Sequence, residues 1–132
     1  MEVRKLTGTL TIETLEANGS PVEQAVISVY ERTEDSSSFI MSCYTDENGQ
    51  SEPIPLPAPD SIHSMHSDPQ VCPYAQYDVH VTKEDYDKEV INGVQIFSDT
   101  HSALTVIMQC CNGRPPKTNT IDISPHDLYD TR

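Results

Sequence analysis

The sequence predicts an all-β sandwich, and three observations carry the prediction. Four of the five glycines stand in Asn-Gly pairs: Asn18-Gly19, Asn48-Gly49, Asn92-Gly93 and Asn112-Gly113. Both residue types tolerate positive φ, so the dipeptide marks tight turns between strands. Between the pairs, apolar residues recur with a period of two, the spacing of a half-buried strand. Ten prolines, six tyrosines and no tryptophan, with 22% of residues charged, suit turn-rich sheet better than a helical bundle or a disordered acidic tail. At 132 residues the chain is the size of one domain, which leaves no room for a two-lobed enzyme with a cleft between its lobes.

Six or seven short strands follow in order. Leu6, Leu10 and Ile12, with Leu15 after them, mark the first, and Val22, Val26 and Ile27 to Tyr30 the second. Phe39 to Tyr44 is the third. Residues 51–73 interrupt the pattern: Pro53, Pro55, Pro57, Pro59, Pro69 and Pro73 can neither donate to a ladder nor continue a helix, so this reads as an extended loop. The pattern resumes at Tyr77-Asp78-Val79-His80-Val81, passes through the short Val94-Gln95-Ile96-Phe97, and ends in Ala103 to Met108. Residues 1–108 thus form the sandwich, and 109–132 an extended tail. The tail opens with Cys110-Cys111-Asn112-Gly113-Arg114-Pro115-Pro116, and its Thr120-Ile121-Asp122-Ile123-Ser124 alternates like one more strand. That strand either folds back on its own sandwich edge or is contributed to a neighbouring subunit.

Charge narrows the partners. With 21 acidic against 8 basic side chains the formal net charge is -13, which repels a phosphate backbone or an anionic leaflet, so nucleic acid is not an expected partner. The imbalance is local as well: Thr33 to Thr82 contains no Lys or Arg, so one side of the molecule should be anionic. No segment approaches the roughly 20 apolar residues of a membrane-spanning helix, so no membrane insertion is expected. Arg4 and Lys5 are not followed by an apolar run of signal-peptide length, and the expectation is a chain made in the cytosol without a visible leader.

The turn and strand motifs carry a resemblance. Leu10-Thr11-Ile12, then Asn18-Gly19-Ser20-Pro21-Val22 and Ala25-Val26-Ile27-Ser28-Val29, resemble the opening of carboxypeptidase-regulatory-like, transthyretin-type (prealbumin-like) β-sandwich modules. Thr45-Asp46-Glu47-Asn48-Gly49 is similar to that family's T-D-x-x-G turn, and Tyr77 to Val81 to its Y-x-V-x-V strand. Pro53 to Pro59, Pro73 to Val79 and Val94 to Phe97 resemble more narrowly a subgroup from Gram-positive spore formers, found beside peptidoglycan-binding or cortex-lytic domains. The likeness covers about residues 6 to 108 and implies a seven-stranded Greek-key sandwich. Glu84-Asp85-Tyr86 stands where the family carries Gly-Tyr, so the local turn is expected to differ. The Tyr-Arg-Gly-Ser signature of the hydroxyisourate hydrolase branch of this fold is not in the sequence.

Few constellations carry chemistry. His63, His66 and Cys72, in a loop with Asp60 and Asp68, are candidate metal ligands, since imidazole and thiolate suit zinc-like ions. The competing reading is a polar loop, because neither a fourth ligand nor supporting residues are evident. A calcium loop around Gly49 fails, because Tyr44 and Pro55 fall at the first and twelfth ligand positions. No Gly-x-Ser-x-Gly elbow is present, and the carboxylate pairs Asp85 with Asp87 and Glu84 with Glu89 read as a solvated turn. Cys43, Cys72, Cys110 and Cys111 lack C-x-x-C spacing and are cross-linking candidates, against the alternative that one of the tail pair is a core residue. Adjacent thiols in one segment are placed to reach two different partners rather than each other.

These readings lead to a non-catalytic protein without a cofactor: a structural or adhesive component of a bacterial cell or spore surface. Its partner would be further copies of itself, joined through the tail and disulfides. A module binding peptidoglycan or another cell-wall glycan is the alternative, and a metal-binding loop protein the third.

Overall fold

The computed structural model describes residues 7–32, 36–58 and 74–123. These form eight strands in two sheets. Strands β1 (Thr7–Glu16), β4 (Ile54–Pro57) and β7 (His101–Met108) make a three-stranded sheet in the order β4-β1-β7. The larger sheet has the order β3-β2-β5-β6-β8, from β2 (Val26–Arg32), β3 (Ser37–Tyr44), β5 (Ala75–Thr82), β6 (Lys88–Ile96) and β8 (Thr118–Asp122). The fold is all-β, as expected, and among the described residues no helix is long and apolar enough to cross a membrane.

Period-two patterning builds the core. In β1, Leu10, Ile12 and Thr14 are buried while their odd-numbered neighbours are half-buried, and successive strand side chains point to opposite faces. They meet Ile27 and Val29 of β2, Tyr77, Val79 and Val81 of β5, Ile91, Val94 and Ile96 of β6, and Val106 and Met108 of β7. The Tyr77 hydroxyl donates to the Pro57 carbonyl at 2.6 Å, joining the two sheets through a buried ring.

Among the described residues eight strands rather than seven are present, and three local expectations change for stated reasons. Ile54–Pro57 lies within the supposed loop yet pairs antiparallel with β1. An edge strand tolerates proline at positions whose N–H would point outward; Pro55 and Pro57 occupy those positions and are exposed, while Ile54 and Leu56 are buried. Asn92-Gly93 is not a turn but a bulge inside β6, opposite the register shift at Asp78. The Gly93 φ is +83°, and its N–H donates to Asp78 Oδ1 at 3.0 Å, so Val94 to Ile96 continue the strand begun at Lys88 instead of opening one of their own, and Phe97 lies just beyond its end. At the turn before β6, Asp85 itself takes the left-handed conformation, φ +72°, that a glycine ordinarily fills. The other three Asn-Gly pairs do make turns.

Candidate functional site: the tail clasp and the open sheet edges

The chain leaves β7 and wraps over the turn that opens β6. The Asp87 N–H donates to the Gln109 carbonyl at 2.9 Å, and the Cys111 N–H to the Asp85 carbonyl at 2.7 Å. Asn112 and Gly113, at φ +51° and +88°, then reverse the chain, closed by the Arg114 N–H on the Cys111 carbonyl. This reversal aims the Arg114 guanidinium back at Asp87. Nη1 and Nη2 each donate to one carboxylate oxygen at 2.8 Å, the bidentate fork that arginine alone provides. The Lys117 N–H adds a third donor at 3.0 Å, and the Cys111 thiol lies 3.7 Å from the same oxygen.

This clasp delivers β8 to the sheet. The Lys88 N–H donates to the Lys117 carbonyl, after which Thr118 to Asp122 run parallel to Lys88 to Asn92. Asn119 donates to Glu89 Oε2 and Asn92 to Asp122 Oδ1, both at 2.8 Å, and the Ile123 N–H donates to the Asn92 carbonyl. In this chain, therefore, the described part of the tail folds onto its own sandwich as the fifth strand of the larger sheet.

The electrostatics follow from that cover. The Asp87 side chain is 0% exposed and Glu89 is buried too, so these two acids are not solvated as the sequence suggested, whereas Glu84 and Asp85 are exposed as expected. The Arg114 hydrogen bonds and the Lys117 amide hold the Asp87 carboxyl well below the usual range, against the opposing effect of burial. Glu89 moves the other way, raised by burial, with Asn119 opposing and the Asp87 charge adding to the rise. The Cys111 thiol is raised by burial and by Asp87, whereas Cys110 beside it is exposed. The sequence could not show this division, because it depends on which residue turns inward after Met108. A cleft of about 370 Å³ remains between Ile107 and Gln109 on one side and Asp87, Glu89, Arg114, Lys117 and Asn119 on the other. Arg114 and Asp87 are committed to each other and Glu89 to Asn119, so the cluster works as a clamp on the tail.

Outside the clamp the prominent features are the two ends of the five-stranded sheet. Among the described residues nothing pairs with the outer side of β3 or of β8. On β3, Phe39 is 59% exposed and Tyr44 63%, with Ile40 exposed between them; on β8, Ile121 is 54% exposed. Tyr30 lies edge-on to Phe39, with ring centroids 5.7 Å apart, and 4.6 Å from His80. Cys43 is half-buried on β3, where burial and Glu52 raise its thiol. His63, His66, Cys72, Asp60, Asp68 and Ser124 lie outside the described residues. Among the described residues no group of three or more His, Cys, Asp or Glu could hold a metal ion.

No family model matches the sequence, and no curated protein matches it. Solved structures do. A catechol 1,2-dioxygenase from an Acinetobacter species is 14% identical with a TM-score of 0.52, covering 89% of this chain and 60% of its own. A 9R-lipoxygenase from Cyanothece is 12% identical with a TM-score of 0.49, covering 81% of this chain but 18% of its own. A transthyretin from Sparus aurata is 18% identical with a TM-score of 0.36, covering 88% of both chains. The chain thus spans less than two thirds of the dioxygenase and under a fifth of the lipoxygenase. At such identity the dioxygenase likeness establishes a shared two-sheet β architecture and nothing about activity, and transthyretin stands among the structural neighbours of this sandwich.

Proposed function

We propose that this chain is a non-catalytic structural or adhesive component of a bacterial cell or spore surface, which self-assembles through its C-terminal strand with its exposed thiol as a later cross-link. One observation carries the reading: among the described residues a single sheet is open at both ends, with large apolar side chains exposed on each terminal strand. Open edges with exposed apolar residues are templates for pairing with another chain, and natural monomers usually blunt them with charge, proline or cover. The only charged residue within β3 and β8 is Asp122. The clamp supports the same reading, because it presents β8 as a fixed strand. The assay is sedimentation velocity with electron microscopy on untagged protein, across concentration and with or without oxidant. Species larger than a monomer that grow with concentration are expected; a single monomeric species throughout sinks the proposal.

A second reading, an accessory module for peptidoglycan or another glycan, is favoured by the aromatic cluster of Tyr30, Phe39 and His80, since such faces stack on sugar rings. Retention on purified cell wall that Tyr30→Ala and Phe39→Ala abolish would support it, and no retention of the parent protein would dispose of it.

A further inference from the structure

We propose that the partner of the β8 edge is the β3 edge of a second copy of this chain, paired antiparallel, so that copies add head to tail and extend one continuous sheet. This rests on the assembly reading above and adds to it the two surfaces, their polarity and their register.

Strand directions supply the polarity. β2 runs antiparallel to both β3 and β5, β5 antiparallel to β6, and β8 parallel to β6. β3 and β8 therefore run in opposite directions at the two ends of the sheet. A second copy displaced across the sheet brings its β3 against β8 as an antiparallel neighbour, the more stable of the two pairings.

The ladder supplies the register. Tyr44 is level with Val26, Val26 with Thr82, and Val81, one residue along, with Glu89. Lys88 is level with Thr118, so Tyr44 and Thr118 mark the same height at opposite ends. A copy displaced without slipping along the strands then sets Thr118 opposite Tyr44 of the next copy, and Ile121 opposite Met41. Ile121 pairs with buried Ile91, and Met41 with buried Val29, so both lie on the core-facing side of the sheet. The larger sheet has two strands more than the smaller one above it, and Ile121 is left uncovered there. Juxtaposition would cover it with Met41, which is only half-buried in the single chain.

Charge is complementary at the foot of the same junction. Lys117, immediately before β8, is exposed. In this register it meets the turn after Tyr44 in the next copy, where Asp46 and Glu47 are exposed within the stretch that carries no Lys or Arg. Opposed charges at an interface set register and suppress the slipped alternative.

The test uses two full-length edge variants, Ile121→Lys on β8 and Tyr44→Lys on β3, where the new charge would face Thr118 beside the exposed Lys117 of the next copy, with folding checked by circular dichroism. A lysine on an edge strand opposes pairing, and each change should weaken self-association by about tenfold or more. Each variant alone should sediment as a monomer where the parent forms a ladder of species. An equimolar mixture should give a heterodimer and stop there, because joining the one intact β3 edge to the one intact β8 edge leaves only the two lysine-bearing edges outside. Lys117→Glu should weaken association about threefold, and adding Glu47→Lys should restore it. If Ile121→Lys still self-associates as the parent does, or the mixture stays monomeric, the head-to-tail pairing is overturned while assembly by another surface stands. If the parent is monomeric at every concentration, both readings fall.

Discussion

Replacing Gly49 with alanine tests how tightly the turn after β3 is built into the core. Gly49 has φ +76°, and its N–H donates to the Asp46 carbonyl at 2.9 Å. Its carbonyl accepts from the Thr14 N–H at 2.7 Å and the Thr14 hydroxyl at 3.1 Å. A Cβ here would lie 2.5 Å from the Thr14 carbonyl oxygen and 3.1 Å from both Pro21 and the Val22 nitrogen. Left-handed backbone costs an alanine roughly 1–2 kcal/mol, and crowding against main chain adds about 1–3 kcal/mol. The sum is about 2–5 kcal/mol out of a stability on the order of 5–15 kcal/mol. Gly19→Ala is the internal control: its φ is +91°, but nothing lies within 4 Å of the added atom, so only the backbone penalty applies. Urea denaturation followed by circular dichroism, with an m-value of about 1.5 kcal/mol/M, should show a midpoint loss near ~1 M for Gly19→Ala and about twice that for Gly49→Ala. Equal losses would refute the steric argument, because the two sites share the backbone term and differ only in what surrounds it.

Three further outcomes follow from titratable groups. Asp87 is held below its unfolded pKa, so it contributes stability that is present above about pH 4 and lost as pH falls toward its folded value. Asp87→Asn should therefore destabilise most at neutral pH, with the gap to the parent closing in acid; a gap independent of pH refutes this. Tyr77 is pushed up to about 12 by burial and by Glu31, and Tyr86 to about 12 by burial and its hydrogen bond to Glu16. Their folded values exceed the unfolded ones, so their contribution is intact below about pH 10 and lost through about 12. Ultraviolet titration of the native protein should show late-ionising tyrosine that Tyr77→Phe reduces, and a single transition near 10 would count against it. Iodoacetamide labelling read by mass spectrometry should modify Cys110 in the native state and spare Cys111 until unfolding; equal rates would contradict the burial of Cys111.

The sequence made the strands legible wherever one face is buried and the other wet. Leu10 and Ile12, Tyr77 to Val81 and Ala103 to Met108 sit on strands as their alternation implies. It was less informative where a residue type has two uses. Proline signalled loop at Ile54–Pro57, although an edge strand accepts it on alternate positions, and Asn-Gly signalled a turn at Asn92 although a carboxylate on the facing strand makes it a bulge. Asp87 and Glu89 looked solvated because the groups that cover and bond them, Arg114 and Asn119, stand 27 and 30 positions later. Neither of the parallel pairings, β1 with β7 and β6 with β8, has a local signal, since no tight turn joins such strands. The exposure of Phe39 and Ile121 depends on one sheet being wider than the other, which periodicity does not encode.

The pairing of β1 with β7 also sets a timetable for biogenesis. Glu13 and Thr105 are level neighbours 92 positions apart, so the smaller sheet cannot close until nearly the whole described chain has left the ribosome. Until Arg114 follows, the carboxylate of Asp87 has no counter-charge and cannot be buried without cost. The β8 edge comes into being later still, after the clasp closes. A nascent chain therefore presents β3 well before β8, and an assembly that needs both edges is postponed until each copy has finished folding.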